Sequence, residues 1–405
     1  MSSNYNEETF LLTSESVTEG HPDKVCDRIA DSILDAILST DQDAKVAIEV
    51  AISNQMIVLL GEISSKNSLD YKTIAKEAVL KIGYTDKLTG FDINNCEIIS
   101  NINPQSPDIE AGVMNALEIR NEDNNIDEFD QQGAGDQGIV FGFACNETET
   151  FMPMPIFLAH NLTKQLAKVR HEKQNDFLLP DGKAQVTIEY KNNIPYAINN
   201  VIVSTQHRED VTNKKLKNYI KEKIINPILP TNLLDNSKNI EIHINPSGRF
   251  VIGGPQGDAG VTGRKIVVDT YGGSAKHGGG AFSGKDPSKV DRTGAYMARY
   301  IAKNLVAAKI MDKIEVQISY GIGIANPISL SFDCFNTQKI NIATIKEIID
   351  RLFDCRPAAI INQFQLKRPI YTQLSAYGHF GRPELDLPWE RLDKVKDIVE
   401  LVNKI

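Results

Sequence analysis

The sequence has 405 residues and a formal net charge of -9 at pH 7. It is too long for one ordinary core, so two or three domains are expected, and its acidic balance argues against broad binding to nucleic acid or anionic membranes. Cys26, Cys96, Cys145, Cys334 and Cys355 are scattered with no C-x-x-C pair, which argues against a zinc site or a disulfide framework and fits a reduced, cytoplasmic setting. The stretch from Met1 to Glu8 lacks the basic and apolar regions of a signal peptide, and no apolar run is long enough to span a bilayer.

A turn at Gly20-His21-Pro22 leads into a predicted helix whose apolar side is Val25, Ile29, Ile33, Leu34, Ile37 and Leu38. Asp23, Asp27, Asp31 and Asp35 ladder down the other side, a pattern usual for a solvated face, although Asp23 lies beside His21 and Lys24 in a cluster suited to phosphate and metal. Strands are predicted over 45–52 and 56–63, joined by Ser53-Asn54-Gln55; Val46, Ile48, Val50 and Ile52 share one face, Glu49 looks the other way and Glu62 ends the second strand. A helix over 68–82 stops at Gly83, and a strand follows over 97–102.

The same order recurs. A helix over 156–171 precedes strands over 184–190 and 197–205, a helix over 210–225 and a strand over 241–244. The third instance has a helix after Pro287, strands over 313–320 and 328–333, and a helix over 343–353. These imply an α/β fold of the α+β type: three copies of one layered unit with antiparallel or mixed sheets. In linear terms they suggest an N-terminal domain over 1–110, a connector over 111–135, a central domain over 136–250 and a C-terminal domain over 251–405.

The run from Gly278 to Arg292 has the composition of an anion cradle. Asp286 can cap and Pro287 can take the first helical position; Val290, Gly294, Met297, Ile301, Leu305 and Ala308 then form an apolar stripe. Lys285, Lys289 and Arg292, with the positive end of the helix, suit a phosphate chain, and Asp291 among them suits magnesium bridging to phosphate oxygens. A glycine run with a solvated, salt-bridged helix start is the structural alternative. Gly279, Gly284 and Lys285 have Walker A spacing, but Asp286 stands where that motif needs a hydroxyl. Gly133 to Gly138 has dinucleotide-fingerprint spacing, yet it precedes a strand-like segment where the fingerprint requires a helix.

From Gln105 to Gly133 the chain is acidic, with Asp108, Glu110, Glu118, Glu122, Asp123, Asp127, Glu128 and Asp130 opposed only by Arg120: an active-site lid or a plain connector. Leu179 to Lys183 reads as a turn tipped by Asp181 and Lys183, and Phe250 to Lys265 as a second glycine loop ending in Arg264 and Lys265. Gly321-Ile322-Gly323 offers bare backbone at a strand end, suited to a flat ring.

Together, Thr13 to Ser16, Glu19 to Lys24, Gly133 to Gly138, Gly253 to Lys265, Asp269 to Gly273 and Gly278 to Arg292 resemble the S-adenosylmethionine synthetase family, the methionine adenosyltransferases, over nearly the whole chain. The resemblance implies three pseudo-repeated α/β domains around a threefold-like axis, interleaved along the chain, and tight homodimers with shared active sites, paired into homotetramers. The implied reaction joins ATP and L-methionine: sulfur displaces triphosphate from C5′, and the triphosphate is then cleaved to diphosphate and phosphate.

By the same resemblance, His21 and Lys183 assist the leaving oxygen, and Arg264, Lys265, Lys285 and Lys289 hold the polyphosphate, Lys289 also reaching methionine. Asp23 and Asp291 bind Mg2+, two ions per site, and Glu49 binds K+. Glu62, Gln105 and Asp136 hold methionine, with Asp136 facing the sulfonium. Phe250 stacks on adenine, and Asp181 and Asp258 contact ribose or substrate. The acidic stretch over 113–132 looks longer than is common in the family. The competing readings are a P-loop-like ATPase, which would release ADP, and a nucleotide sensor without chemistry, which need not keep transition-state groups.

Overall fold

The computed structural model describes residues 9–105, 113, 115–120, 127–174 and 176–404. Numbered along the chain, its strands are β1 (Thr9–Val17), β2 (Lys45–Ser53), β3 (Met56–Ser64), β4 (Glu97–Asn103), β5 (Gly138–Cys145), β6 (Leu178–Lys191), β7 (Ile194–His207), β8 (Glu241–Ile244), β9 (Gly260–Val261), β10 (Lys313–Tyr320) and β11 (Ser329–Asp333). Among the described residues they form sheets of order β4-β3-β2-β9, β1-β6-β7-β8 and β11-β10-β5.

Period-two alternation sets the faces of the first sheet. β2 buries Val46, Ile48, Val50 and Ile52 and turns Glu49 outward, and Asn54 makes the hairpin possible with φ 50°. Helices α1 (Pro22–Leu38) and α2 (Tyr71–Ile82) cover the inner face. In the second unit β6 and β7 run to 14 residues each, well past their predicted ends. Asn192 and Asn193 both accept positive φ there, as a tight hairpin turn demands, so pairing continues to the turn itself. Helix Met154–His171 packs on this sheet, and helix Val290–Ala307 packs on the third.

In all three units, the strand preceding the leading helix joins another unit's sheet. β1 precedes α1 but pairs with β6; β5 precedes Met154–His171 but pairs with β10; β9 precedes Val290–Ala307 but pairs with β2. The order of helices and strands within each unit follows the reading above, with the sheets antiparallel or mixed.

Four expectations need correction. The third leading helix begins at Val290, with Lys289 and not Asp286 at its cap. Asp286 is instead drawn to β2: its carboxylate accepts from Val46 N, its own N–H donates to Val46 O, and Lys285 bridges Ala47. That extended pairing holds 284–286 out of the helix. The Asp ladder of α1 is not a solvated face, because Asp23, Asp27 and Asp31 are buried and Asp35 is half-buried. The helix expected over 210–225 starts at Asn213, capped by Thr212, and closes in a π turn over Lys221–Ile225. The helices Pro357–Phe364 and Val395–Val402 lie outside the repeat, and neither they nor β1, which opens the first unit, were anticipated.

Candidate active site

At the start of α1, His21 is the N-cap and Pro22 takes the first turn, where its missing N–H costs nothing. Asp23 N donates to His21 Nδ1 at 3.2 Å, which leaves the imidazole proton on Nε2. Burial, then the charges of Lys265 and Lys183, push the His21 pKa down to about 3. The ring is therefore neutral at physiological pH, a donor through Nε2–H. The Asp23 carboxylate accepts from Val261 N at 3.0 Å and from Lys265 Nζ at 2.8 Å, with Arg264 at 3.7 Å. The second glycine loop is thus fastened across the helix start, and its two cations stand beside His21.

Asp181 and Lys183 lie in β6, facing the same corner. Asp181 Oδ2 accepts from Gly254 N at 2.9 Å, while its Oδ1 is buried with no partner. Burial pushes the Asp181 pKa up to about 6, and Lys183 and Asp258 are the charges that act on it. Phe250 is half-buried and its ring lies over Gly253, where a Cβ would come within 2.7 Å of it. Lys183 and Asp258 are exposed. One corner thus gathers a neutral imidazole donor, three cations, an orphaned carboxylate oxygen and an aromatic face.

The first glycine loop forms a second group. Lys285 Nζ lies 2.6 Å from Asp291 and Lys289 Nζ 2.5 Å from Asp286. Gly284 sits at φ 79°, and a Cβ there would lie 2.1 Å from Ile48 O, so only glycine lets the loop lie on β2. Asp291 is seated against bare backbone as well, since a Cβ on Gly280 would fall 2.2 Å from its carboxylate carbon. Glu49, on the strand that this loop borders, has its pKa raised by burial and lowered less by Lys285. Arg292 does not belong to the cation set: it is fully buried and forks onto Asp31 at 2.7 and 2.9 Å.

Glu62 and Asp136 are exposed, Glu62 on β3 and Asp136 in the loop before β5. Gln105 N donates to Ser64 Oγ at 3.0 Å, and its side-chain oxygen is buried without a partner. Among the described residues no ion pair links the first group to the second: Arg264 and Lys265 pair with Asp23, Lys285 with Asp291 and Lys289 with Asp286. What the sequence reading missed is the support beneath both loops: Asp27 accepts from Gly263 N at 2.9 Å and Asp31 from Gly284 N at 2.8 Å. The four-residue spacing of the ladder was its one visible signal.

Gly321 to Gly323 is held against the loop before β5 by backbone: Ala134 N donates to Ile324 O and Gly323 N to Ala134 O, each at 2.9 Å. The acidic stretch has more counter-groups than Arg120, because Arg356 binds Asp127 and Asp130, and Glu118 accepts from the backbone of Ala325 and Asn326. Asp108, Glu110, Glu122 and Asp123 lie outside the described residues, and with them part of the expected lid.

Family models match almost end to end: the N-terminal domain of S-adenosylmethionine synthetase over residues 9–107, its central domain over 131–250 and its C-terminal domain over 252–391. An S-adenosylmethionine synthase of Clostridium acetobutylicum is 53% identical over 388 residues, covering 96% of this chain and 98% of the relative. One from Clostridium botulinum is 52% identical over 392 residues, covering 97% and 99%.

Proposed function

This chain belongs to the S-adenosylmethionine synthetase family, and from that premise we propose how its two residue groups carry methionine adenosyl transfer. The activity is that of a methionine adenosyltransferase: the thioether sulfur of L-methionine attacks C5′ of ATP, the C5′–O bond breaks, and triphosphate leaves as the sulfonium forms. A thioether lone pair needs no base. The barrier lies in the charge that gathers on the departing oxygen, so preorganised donors and cations are the effective catalysts.

His21, a neutral Nε2–H donor, and Lys183 act at the oxygen leaving C5′. Arg264, Lys265, Lys285 and Lys289 hold the polyphosphate through its departure and its later cleavage to diphosphate and phosphate. The unpartnered Oδ1 of Asp181 suits a ribose hydroxyl, with Asp258 nearby, and Phe250 suits the adenine face. Glu62, the free side-chain oxygen of Gln105 and Lys289 hold the amino and carboxylate ends of methionine, and the exposed carboxylate of Asp136 favours the positive sulfur. The observation that carries this reading is the pairing of Lys265 with Asp23 and of Lys285 with Asp291. Asp23 and Asp291 are the carboxylates that would hold metal, and the lysine paired with each would be the cation that meets phosphate.

Family members need metal ions, and the donor set fits them. Asp23 and Asp291, each a lone carboxylate among phosphate-binding cations, are the residues that would hold Mg2+. Glu49, on the outward face of β2 and facing, among the described residues, only Lys285 as a counter-charge, suits K+. Bound there, two Mg2+ per site would supply charge neutralisation on the polyphosphate.

A homodimer completes the site. The outward face of the first sheet carries exposed Met56, Leu60, Ile99 and Val261 around Glu49 and Glu62, an apolar surface bearing two substrate-site carboxylates. Burying that face against a second copy supports a site shared between subunits, with dimers pairing into a homotetramer. No described helix is long and apolar enough to cross a membrane, and we place the enzyme in the cytoplasm.

Incubation with ATP, Mg2+, K+ and methionine, followed by mass analysis, tests the reading. It predicts a sulfonium product and methionine-dependent release of both phosphate and diphosphate. ADP released without methionine would favour the P-loop ATPase reading instead.

A further inference from the structure

The mechanism above leaves unused a buried ion pair that touches the main chain of a phosphate-binding lysine. Asp31 and Arg292 are both fully buried. Asp31 Oδ1 accepts from Gly284 N at 2.8 Å and from Arg292 Nη1 at 2.9 Å, and its Oδ2 accepts from Arg292 Nη2 at 2.7 Å. Arg292 Nη1 also donates to the carbonyl of Lys285 at 3.1 Å. The pair therefore grips Lys285 from both sides, by the N–H of the residue before it and by its own C=O.

The grip is rigid because each partner is itself fixed. Arg292 Nε donates to Tyr296 Oη at 3.0 Å, and its guanidinium lies 4.2 Å from the centre of the Tyr371 ring. Tyr371 N and Thr372 N donate to Asp35, the next rung of the α1 ladder. One turn earlier, Asp27 treats the other loop alike by accepting from Gly263 N just before Arg264 and Lys265. α1 thus fixes both cationic loops at neighbouring turns of one helix.

We propose that Asp31 and Arg292 are positioning residues for the adenosyl transfer, acting through Lys285 alone: their fork sets where that ammonium meets the polyphosphate. Buried ion pairs add little net stability over apolar packing, so stability does not by itself account for this one. A planar fork has the geometry to fix a backbone segment, and transition-state contacts lose their effect when displaced by about 1 Å.

The inference rests on the reading that Lys285 holds polyphosphate, and a double-mutant cycle separates the two. kcat and the KM for ATP are measured for Asp31→Asn, Lys285→Met and the double variant, with thermal melts of each. Asp31→Asn is expected to lower kcat/KM about tenfold to a hundredfold, chiefly through kcat, and to cost less than about twofold further in the Lys285→Met background. The same loss in both backgrounds would overturn the proposal, since general structural damage does not depend on the lysine. If Lys285→Met alone is harmless, the reading of Lys285 fails instead, and the proposal with it. Should Asp31→Asn not fold, Arg292→Lys replaces it in the same cycle. That variant keeps a cation for Asp31 but cannot also reach the Lys285 carbonyl, and the same two outcomes decide.

Discussion

Lys265 pairs with Asp23 and Lys285 with Asp291, so each candidate metal carboxylate holds a candidate phosphate cation. Lys285, Asp291, Lys265 and Asp23 are identifiable from spacing and type, and the structure pairs them two by two. Arg292 was not, because a four-residue step places a side chain on a helix face without saying that the helix is buried on nearly every side. The ladder of aspartates misled for the same reason: the packing partners that bury it come from loops more than 200 residues away, such as Gly263 and Gly284. Lys285→Met and Asp291→Ala should each lower turnover about a hundredfold, the loss of one preorganised electrostatic contact worth roughly 3 kcal/mol. Steady-state kinetics at saturating ATP and methionine check this, and near-normal rates would remove either residue from the site.

His21 makes a second residue-scale prediction. Its folded pKa, pushed down to about 3, lies below the ordinary histidine value. Below a pH of about 6.5 the unfolded chain therefore takes up a proton that the folded chain refuses. The contribution of His21 to stability is full above that pH and declines as pH falls toward 3. NMR titration of the free enzyme should find this imidazole neutral throughout the range from about pH 5 to 8. A midpoint near 6.5, removed by His21→Asn, would contradict the assignment.

Among elements, hairpins and amphipathic helices were legible because period two and period 3.6 are local signals. The start of the third leading helix was not. Asp286-Pro287 is a good local cap, but pairing of 284–286 with β2, a strand more than 200 residues earlier, outweighs it. Two neighbouring glycines separate loop strain from site geometry. A Cβ on Gly279 meets nothing within 4 Å, whereas one on Gly280 strikes the Asp291 carboxylate at 2.2 Å. Gly280→Ala should therefore lower kcat about tenfold or more, at a cost in melting temperature no larger than that of Gly279→Ala, whose positive φ alone costs on the order of 1 kcal/mol. Equal kinetic effects from the two variants would mean that Asp291 is not held by that backbone.

At the scale of the whole molecule, the repeat was visible as element order, while the exchange of β1, β5 and β9 between sheets was not. Each of these strands satisfies the same local pattern whichever sheet it joins, so only tertiary pairing decides. The exchange makes each layered unit depend on chain from another. It also brings the second glycine loop, through β9, onto the edge of β2, beside Glu49 and the first loop. Both cationic loops therefore sit on the unit that offers the exposed apolar sheet face, and that placement suits a site completed by a second copy.

Complementation between two inactive variants tests this most directly. Lys265→Ala and Lys285→Met are co-expressed with different tags, and the mixed dimers are purified and assayed beside each parent. If every site takes the first group from one subunit and the second group from the other, a mixed dimer has one site with both lesions and one with none, and recovers about half the wild-type turnover. Mixed dimers no more active than the parents would contradict a shared site and confine the chemistry to a single chain.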